Sequence, residues 1–127
     1  MPRAVALTVV VLGSVALAAD PPLGPVEARK AVGKTVTVEM TVATAKDRLE
    51  KRGEVYLDSE TDFKSEKNFA VVITRDGAAA LKKAGIDSPA DHFNGKTIRS
   101  TGEVKTVDDV PRIEITKAEQ IKLVEKK

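Results

Sequence analysis

Hydrophobic and polar residues alternate most cleanly between Thr35 and Val42. Val36, Val38, Met40 and Val42 fall on one parity, and Thr35, Thr37, Glu39 and Thr41 on the other. A period of two built from β-branched residues predicts a half-buried strand. Val55-Tyr56-Leu57 predicts a second strand, with Tyr56 on the face opposite Val55 and Leu57. Phe69-Ala70-Val71-Val72-Ile73 is nearly all apolar, which predicts a third strand covered on both faces. Alternation returns after Asn94-Gly95. There Ile98, Ser100, Gly102 and Val104 share one face, and Thr97, Arg99, Thr101, Glu103 and Lys105 the other. Gly102 inside this fourth strand marks a bulge or a bend. A turn over Val107–Pro111 leads to a fifth strand, Arg112–Thr116, and Ile121–Val124 reads as a further extended piece.

The period changes between the third and fourth strands. Gly77–Ala84 predicts a helix, with Asp76 as its N-cap, Gly85 just beyond its end, and Ala80, Leu81 and Ala84 on one face. Ser88-Pro89-Ala90-Asp91 opens a second short helical turn: Ser at the cap, Pro at the first position and Asp at the third. Pro25–Val32 predicts a short helix ahead of the first strand, closed by Gly33. The charge-dense stretch Lys46–Gly53 and the polar stretch Asp58–Asn68 read as loops. Alternating strands alone also permit a sandwich. The single helix in the middle, with a bend glycine in the fourth strand, favours an all-β, five-stranded Greek-key barrel of the OB type, with one helix between strands three and four.

The start of the chain follows a different pattern. Met1-Pro2-Arg3 is short and basic, Ala4–Ala18 is apolar apart from Thr8, Gly13 and Ser14, and the run closes on Ala16-Leu17-Ala18. A basic start, an apolar stretch and a small-x-small site predict a secretory signal peptide over residues 1–18. The run is shorter than the ~20 residues of a spanning helix, and Asp20-Pro21-Pro22 ends it. The expected organisation is therefore a signal at 1–18, a Pro/Gly linker at 19–25 and one OB-type domain at 26–127. The mature domain is expected in the periplasm or secreted, as a monomer that does not span the membrane.

Composition narrows the chemistry. With no cysteine, stability must come from packing rather than disulfides. The 21 Lys+Arg nearly balance the 19 Asp+Glu, so net charge alone does not mark a strong polyanion binder. A single histidine, His92, and no cysteine cannot build a zinc site. No nucleophile motif accompanies it, so no enzyme is expected. Asp58-Ser59-Glu60-Thr61-Asp62 spaces carboxylates like a calcium loop, but Phe63 and Phe69 stand where such a loop needs Gly and Glu. Gly33-Lys34-Thr35 lacks the upstream glycine of a phosphate loop, since Ala28 occupies that place. No cofactor or metal is expected.

Six segments carry a resemblance: Gly33–Glu39, Gly53–Asp58, Asn68–Ile73, Ala90–Ile98, Thr101–Val104 and Pro111–Ile115. Together, over about residues 26 to 125, they resemble the small exported bacterial OB-fold domains described as nucleic-acid-binding. The resemblance implies a binding surface on the exposed face of strands two and three, flanked by the loops joining strands one–two and four–five. Few aromatics and an acidic Asp108-Asp109 loop depart from a good binder.

Lys46, Arg48, Lys51 and Arg52 lie in the first of those loops, beside Tyr56. Cations could track phosphates while Tyr56 stacks on a base. Asp47 and Glu50 offset half of that charge. Arg99 and Lys105 extend the candidate patch, or pair across strands with Glu103 and Glu114, as Arg112 also could. Phe69 is expected in the core, and Phe63 is expected to fold back over a barrel mouth. The expected function is weak, largely sequence-independent binding of single-stranded nucleic acid. The alternative is an envelope structural module, or one that interacts with a protein or glycan, with no nucleic-acid binding.

Overall fold

The computed structural model describes residues 21–124. The signal segment expected at residues 1–18 lies outside the described residues. From Pro21 onward the chain forms α1 (Pro25–Ala28), β1 (Thr35–Thr41), β2 (Thr44–Arg48), α2 (Leu49–Arg52), β3 (Glu54–Asp58) and β4 (Ala70–Thr74). Then follow α3 (Arg75–Lys83), α4 (Pro89–Phe93), β5 (Thr97–Val107), β6 (Val110–Ile115), a 3₁₀ turn (Ala118–Gln120) and β7 (Ile121–Leu123). Among the described residues no helix is long and apolar enough to cross a membrane.

Seven strands pair in the order β1-β5-β6-β4-β3-β2, with β7 added to β5. The β4–β6 ladder is parallel and the other ladders are antiparallel. This corrects the five-stranded barrel: the described strands number seven, and no ladder joins β1 to β2 to close the sheet. The reason lies at Val42 and Ala43. Val42 exchanges backbone bonds with Gly95 and Lys96, and the Ala43 amide donates to the Asp58 carbonyl. The expected first strand ends there, and the residues after it form a separate strand, β2, at the opposite end of the sheet from β1.

The charged stretch read as a loop is ordered. Lys46 pairs with Tyr56 and Arg48 with Glu54 in the β2–β3 ladder. One helical turn, α2, then ends at Gly53, whose φ of 73° returns the chain into β3. β2 escaped the alternation test because it forms one end of the sheet and buries no side chain fully.

β5 is shared among three ladders, one of them the short pairing with β7. Residues 97–103 pair with β1, and residues 104–107 with β6. Just before the change, at Gly102, a Cβ would lie 2.8 Å from Cγ2 of Ile113. The expected bend is therefore a site of close approach. The β5–β6 turn is tighter than expected: Val107 pairs with Val110, and Asp108 and Asp109 take φ of 52° and 66°. Two left-handed residues suit the twist of a two-residue hairpin.

α3 begins two residues earlier than expected. Thr74, not Asp76, caps it: its hydroxyl accepts from the Gly77 amide at 3.1 Å and donates to the Ile115 carbonyl at 3.0 Å. At the other end the Ile86 amide reaches the Leu81 carbonyl at 2.8 Å past Gly85, whose φ is 95°. This is the glycine-terminated helix end that the sequence predicts. α1 stops at Ala28 rather than Val32, and the Ser88 hydroxyl meets the Asp91 carboxylate instead of a backbone amide.

The core fills the space inside the curved sheet. Val38, Val55, Leu57, Val71, Ile73, Ile98, Ile113 and Ile115 are buried, as are Phe69, Leu81 of α3 and Phe93 of α4. Phe69 is thus a core residue, as its parity predicts. Burying these side chains is the main stabilising term in a domain without disulfides. The same parity sends Glu54, Tyr56 and Asp58 to the outer face of β3, where the candidate site lies.

Candidate functional site

The outer face of β2, β3, β4 and β6 holds a groove of about 410 Å³. Its floor is apolar and low. Ala70 and Val72 of β4 lie opposite Asp58 and Tyr56 of β3, and Val107 and Val110 of the β5–β6 hairpin close one side. Ala70 contributes only a methyl group, which leaves the depression open. β4 is covered on both faces, as its apolar run predicts, and Val72 is buried although it faces the groove.

Lys46 and Arg48 on β2, and Arg52 on α2, form a cationic wall of the groove. Among the described residues none of the three makes an ion pair, since the salt bridges there involve other cations. Arg48 donates only to the neighbouring Asp47 carbonyl. Lys51 sits on the same helical turn but does not line the groove.

Phe63 is 45% exposed and lines the groove. This corrects the expectation that it folds back over a barrel mouth. The loop between β3 and β4 is held by Asn68, which is fully buried. Its amide donates to Asp58 at 3.1 Å and to the Phe63 carbonyl at 3.3 Å, and its oxygen accepts from the Glu60 amide at 3.0 Å. Arg29 donates to the Asn68 carbonyl at 2.5 Å and anchors the loop from outside the sheet. The ammonium of Lys46 lies 4.9 Å from the centre of the Phe63 ring, and that of Lys64 at 5.8 Å. Cations over a ring face hold the ring at the rim.

The far wall is a polar network centred on Arg112, whose Nε is buried without a partner. Arg112 reaches from β6 across β4 to Glu54 of β3 at 3.1 Å, and it also binds Glu114 at 2.7 Å. The Tyr56 hydroxyl donates to Glu54 at 2.6 Å, and Lys105 reaches Glu114 at 3.3 Å. Burial, with that bond to Glu54, raises the Tyr56 phenol above its ordinary pKa. Burial pushes the Glu114 carboxyl up, but the bonds and charges of Arg112 and Lys105 outweigh it and hold the group below its ordinary value. Burial raises Asp58, only partly countered by Asn68 and the Lys46 charge.

The structure therefore brings Lys46, Arg48, Arg52 and Tyr56 together in one groove. Lys105 faces the side of the network, opposite Arg112 in the ladder. Arg99 lies elsewhere, on the β1–β5 ladder, bound to Glu39 at 2.7 Å. Sequence reading missed Glu54, Asp58, Phe63 and Arg112 as a connected wall. A lone aromatic within a polar loop was the one available signal for Phe63. His92 ends α4 edge-on to Phe93, with ring centres 4.8 Å apart, and is not on the groove wall.

No family model matches the chain, and no curated protein matches it in sequence. Solved structures do share its fold. A protein assigned as an aspartyl-tRNA synthetase from Leishmania major matches with a TM-score of 0.55 at 13% identity, over 86% of this chain and 21% of that one. Asparaginyl-tRNA synthetase from Pyrococcus horikoshii matches with a TM-score of 0.54 at 14% identity, over 82% of this chain and 23% of the synthetase. The Entamoeba histolytica asparaginyl-tRNA synthetase gives 0.50 at 12% identity, over 84% and 24%. The chain thus spans less than a quarter of the length of these proteins. At such identities the likeness is one of fold: a mostly-β domain of the OB type.

Proposed function

We propose that this domain binds single-stranded nucleic acid in the groove, without catalysis and largely independently of sequence. The observation that carries the reading is the juxtaposition of unpaired cations with two aromatic rings. Lys46, Arg48 and Arg52 stand beside Tyr56 and Phe63 over an apolar floor. Cations follow phosphates, while rings stack on bases of any identity, each stack contributing roughly 1–3 kcal/mol. Two rings and three free cations support weak binding. Proteins of similar fold act on tRNA according to their names, which supports the reading by analogy of fold.

Fluorescence anisotropy of a labelled oligothymidine, titrated with the protein at increasing salt, tests it. Affinity should fall steeply as salt rises, because bound phosphates release counterions. Salt-insensitive binding, or none at low salt, would overturn the proposal and move the reading to a protein or glycan partner. Export belongs to the same proposal: residues 1–18 act as a signal removed after Ala18 or Ala19. The intact mass of the protein recovered from its native host checks this, and a retained Met1 segment refutes it.

A further inference from the structure

We infer that one base position in the groove is selective for guanine and that Asp58 reads it; this rests on the nucleic-acid reading above. Asp58 shares the outer face of β3 with Tyr56, two residues apart, and both line the groove. Ala70 lies directly opposite Asp58, so no bulky side chain covers that end of the floor. A base stacked on Tyr56 would lie over Ala70 and Val72 with one edge toward Asp58.

The other carboxylates of the face are already engaged. Glu54 accepts from the Tyr56 hydroxyl with one oxygen and from Arg112 with the other. Glu114 is divided between Arg112 and Lys105. Asp108 is exposed at the hairpin tip, where water satisfies it. Asp58 differs from all of these. It is only 4% exposed, and its one side-chain bond, at Oδ1, comes from Asn68 at 3.1 Å. A carboxylate offers about four acceptor positions, so most of its capacity remains unused. A desolvated acceptor with spare capacity gains more from a donor than a hydrated one does.

Among the bases, guanine presents two adjacent donors on its Watson–Crick edge, N1–H and the N2 amino group. Adenine and cytosine set an acceptor beside their amino group. Thymine and uracil place N3–H between two carbonyls. A carboxylate therefore pairs with guanine along two bonds and meets a repelling lone pair on each of the others. Asn68 holds the carboxylate through Oδ1.

Anisotropy with three labelled oligothymidines tests this: one all-thymine, one with a single central guanine and one with a single central adenine. The guanine probe should bind roughly tenfold tighter than the all-thymine probe, and the adenine probe should show no such gain. Asp58→Asn, which keeps the size but presents a mixed donor and acceptor, should bring the guanine-to-thymine ratio to about one. Guanosine monophosphate should also displace a thymine probe from the unmodified protein more effectively than thymidine monophosphate, a comparison that needs no variant. Equal binding of the three probes overturns the inference while leaving the nucleic-acid reading intact. A guanine gain that survives Asp58→Asn overturns the role of Asp58. Failure of all three probes to bind overturns the underlying reading instead.

Discussion

The β1–β5 ladder and the groove face are made from similar residues, yet they end in different states. On the ladder, Arg99 and Glu39 meet at 2.7 Å, Thr37 and Thr101 at 2.8 Å, and Thr41 and Thr97 at 3.0 Å. Polar groups there satisfy one another across strands. On the groove face Arg112 is bound by two carboxylates, while Lys46, Arg48 and Arg52 meet none. The difference shows that a cation's type and abundance say little about ligand binding. What matters is whether the sheet register has already supplied its counter-charge.

Experiments can break or sharpen this contrast, and the largest effect should come from the free cations. Lys46→Glu combined with Arg52→Glu should weaken low-salt oligonucleotide binding on the order of a hundredfold and flatten its salt dependence. Phe63→Ala should come next, with a loss of roughly 1–3 kcal/mol in anisotropy titrations at any salt, since stacking is less screened than charge. Third is Glu114. Its lowered pKa means that its ion pairs stabilise the fold above the ordinary value of 4.5, and that this contribution is lost as pH falls through the lower folded value. Glu114→Gln should therefore remove that part of the acid limb of a stability–pH curve. Asp58 acts with opposite sign. Its raised carboxyl favours the fold below 3.8, and that contribution disappears as pH rises through the folded value.

Smaller effects should come from residues away from the groove. The Ser100 hydroxyl is buried in β5 without a hydrogen-bond partner. Ser100→Ala should raise thermal stability, or leave it unchanged, within about 1 kcal/mol, because it removes an unmet polar group. Arg99→Ala should be the smallest, below about 1 kcal/mol in stability, with oligonucleotide affinity unchanged. A clear loss of affinity in Arg99→Ala would erase the distinction between the two faces.

The alternating strands were legible because one face of each meets the core. Val36 to Val42, Val55 to Leu57 and Ile98 to Val104 announce that face by parity alone. β2 was not legible, because Thr44-Ala45-Lys46-Asp47-Arg48 forms one end of the sheet and takes its extended form from β3. The Thr74 cap was hidden by Asp76, which carries the stronger local signal; what decides the cap is that Thr74 also reaches the Ile115 carbonyl, far away in sequence. The site shows the same limit. A basic loop next to Tyr56 was readable as a cluster. The Arg112–Glu54 pair depends on β4 and β6 running parallel, and no local pattern encodes that.

β5 carries a consequence in time rather than in affinity. Its first half is hydrogen-bonded to β1 on one edge and to β7 on the other, and its second half is bonded to β6. Releasing its amides to solvent requires all three ladders to part, so their exchange should approach the rate of global unfolding. β2, at one end of the sheet, has a single β-ladder partner and should open far more often. The groove wall that would admit a strand can therefore breathe quickly, while the strand that sets the register of the whole sheet keeps the slowest clock in the molecule.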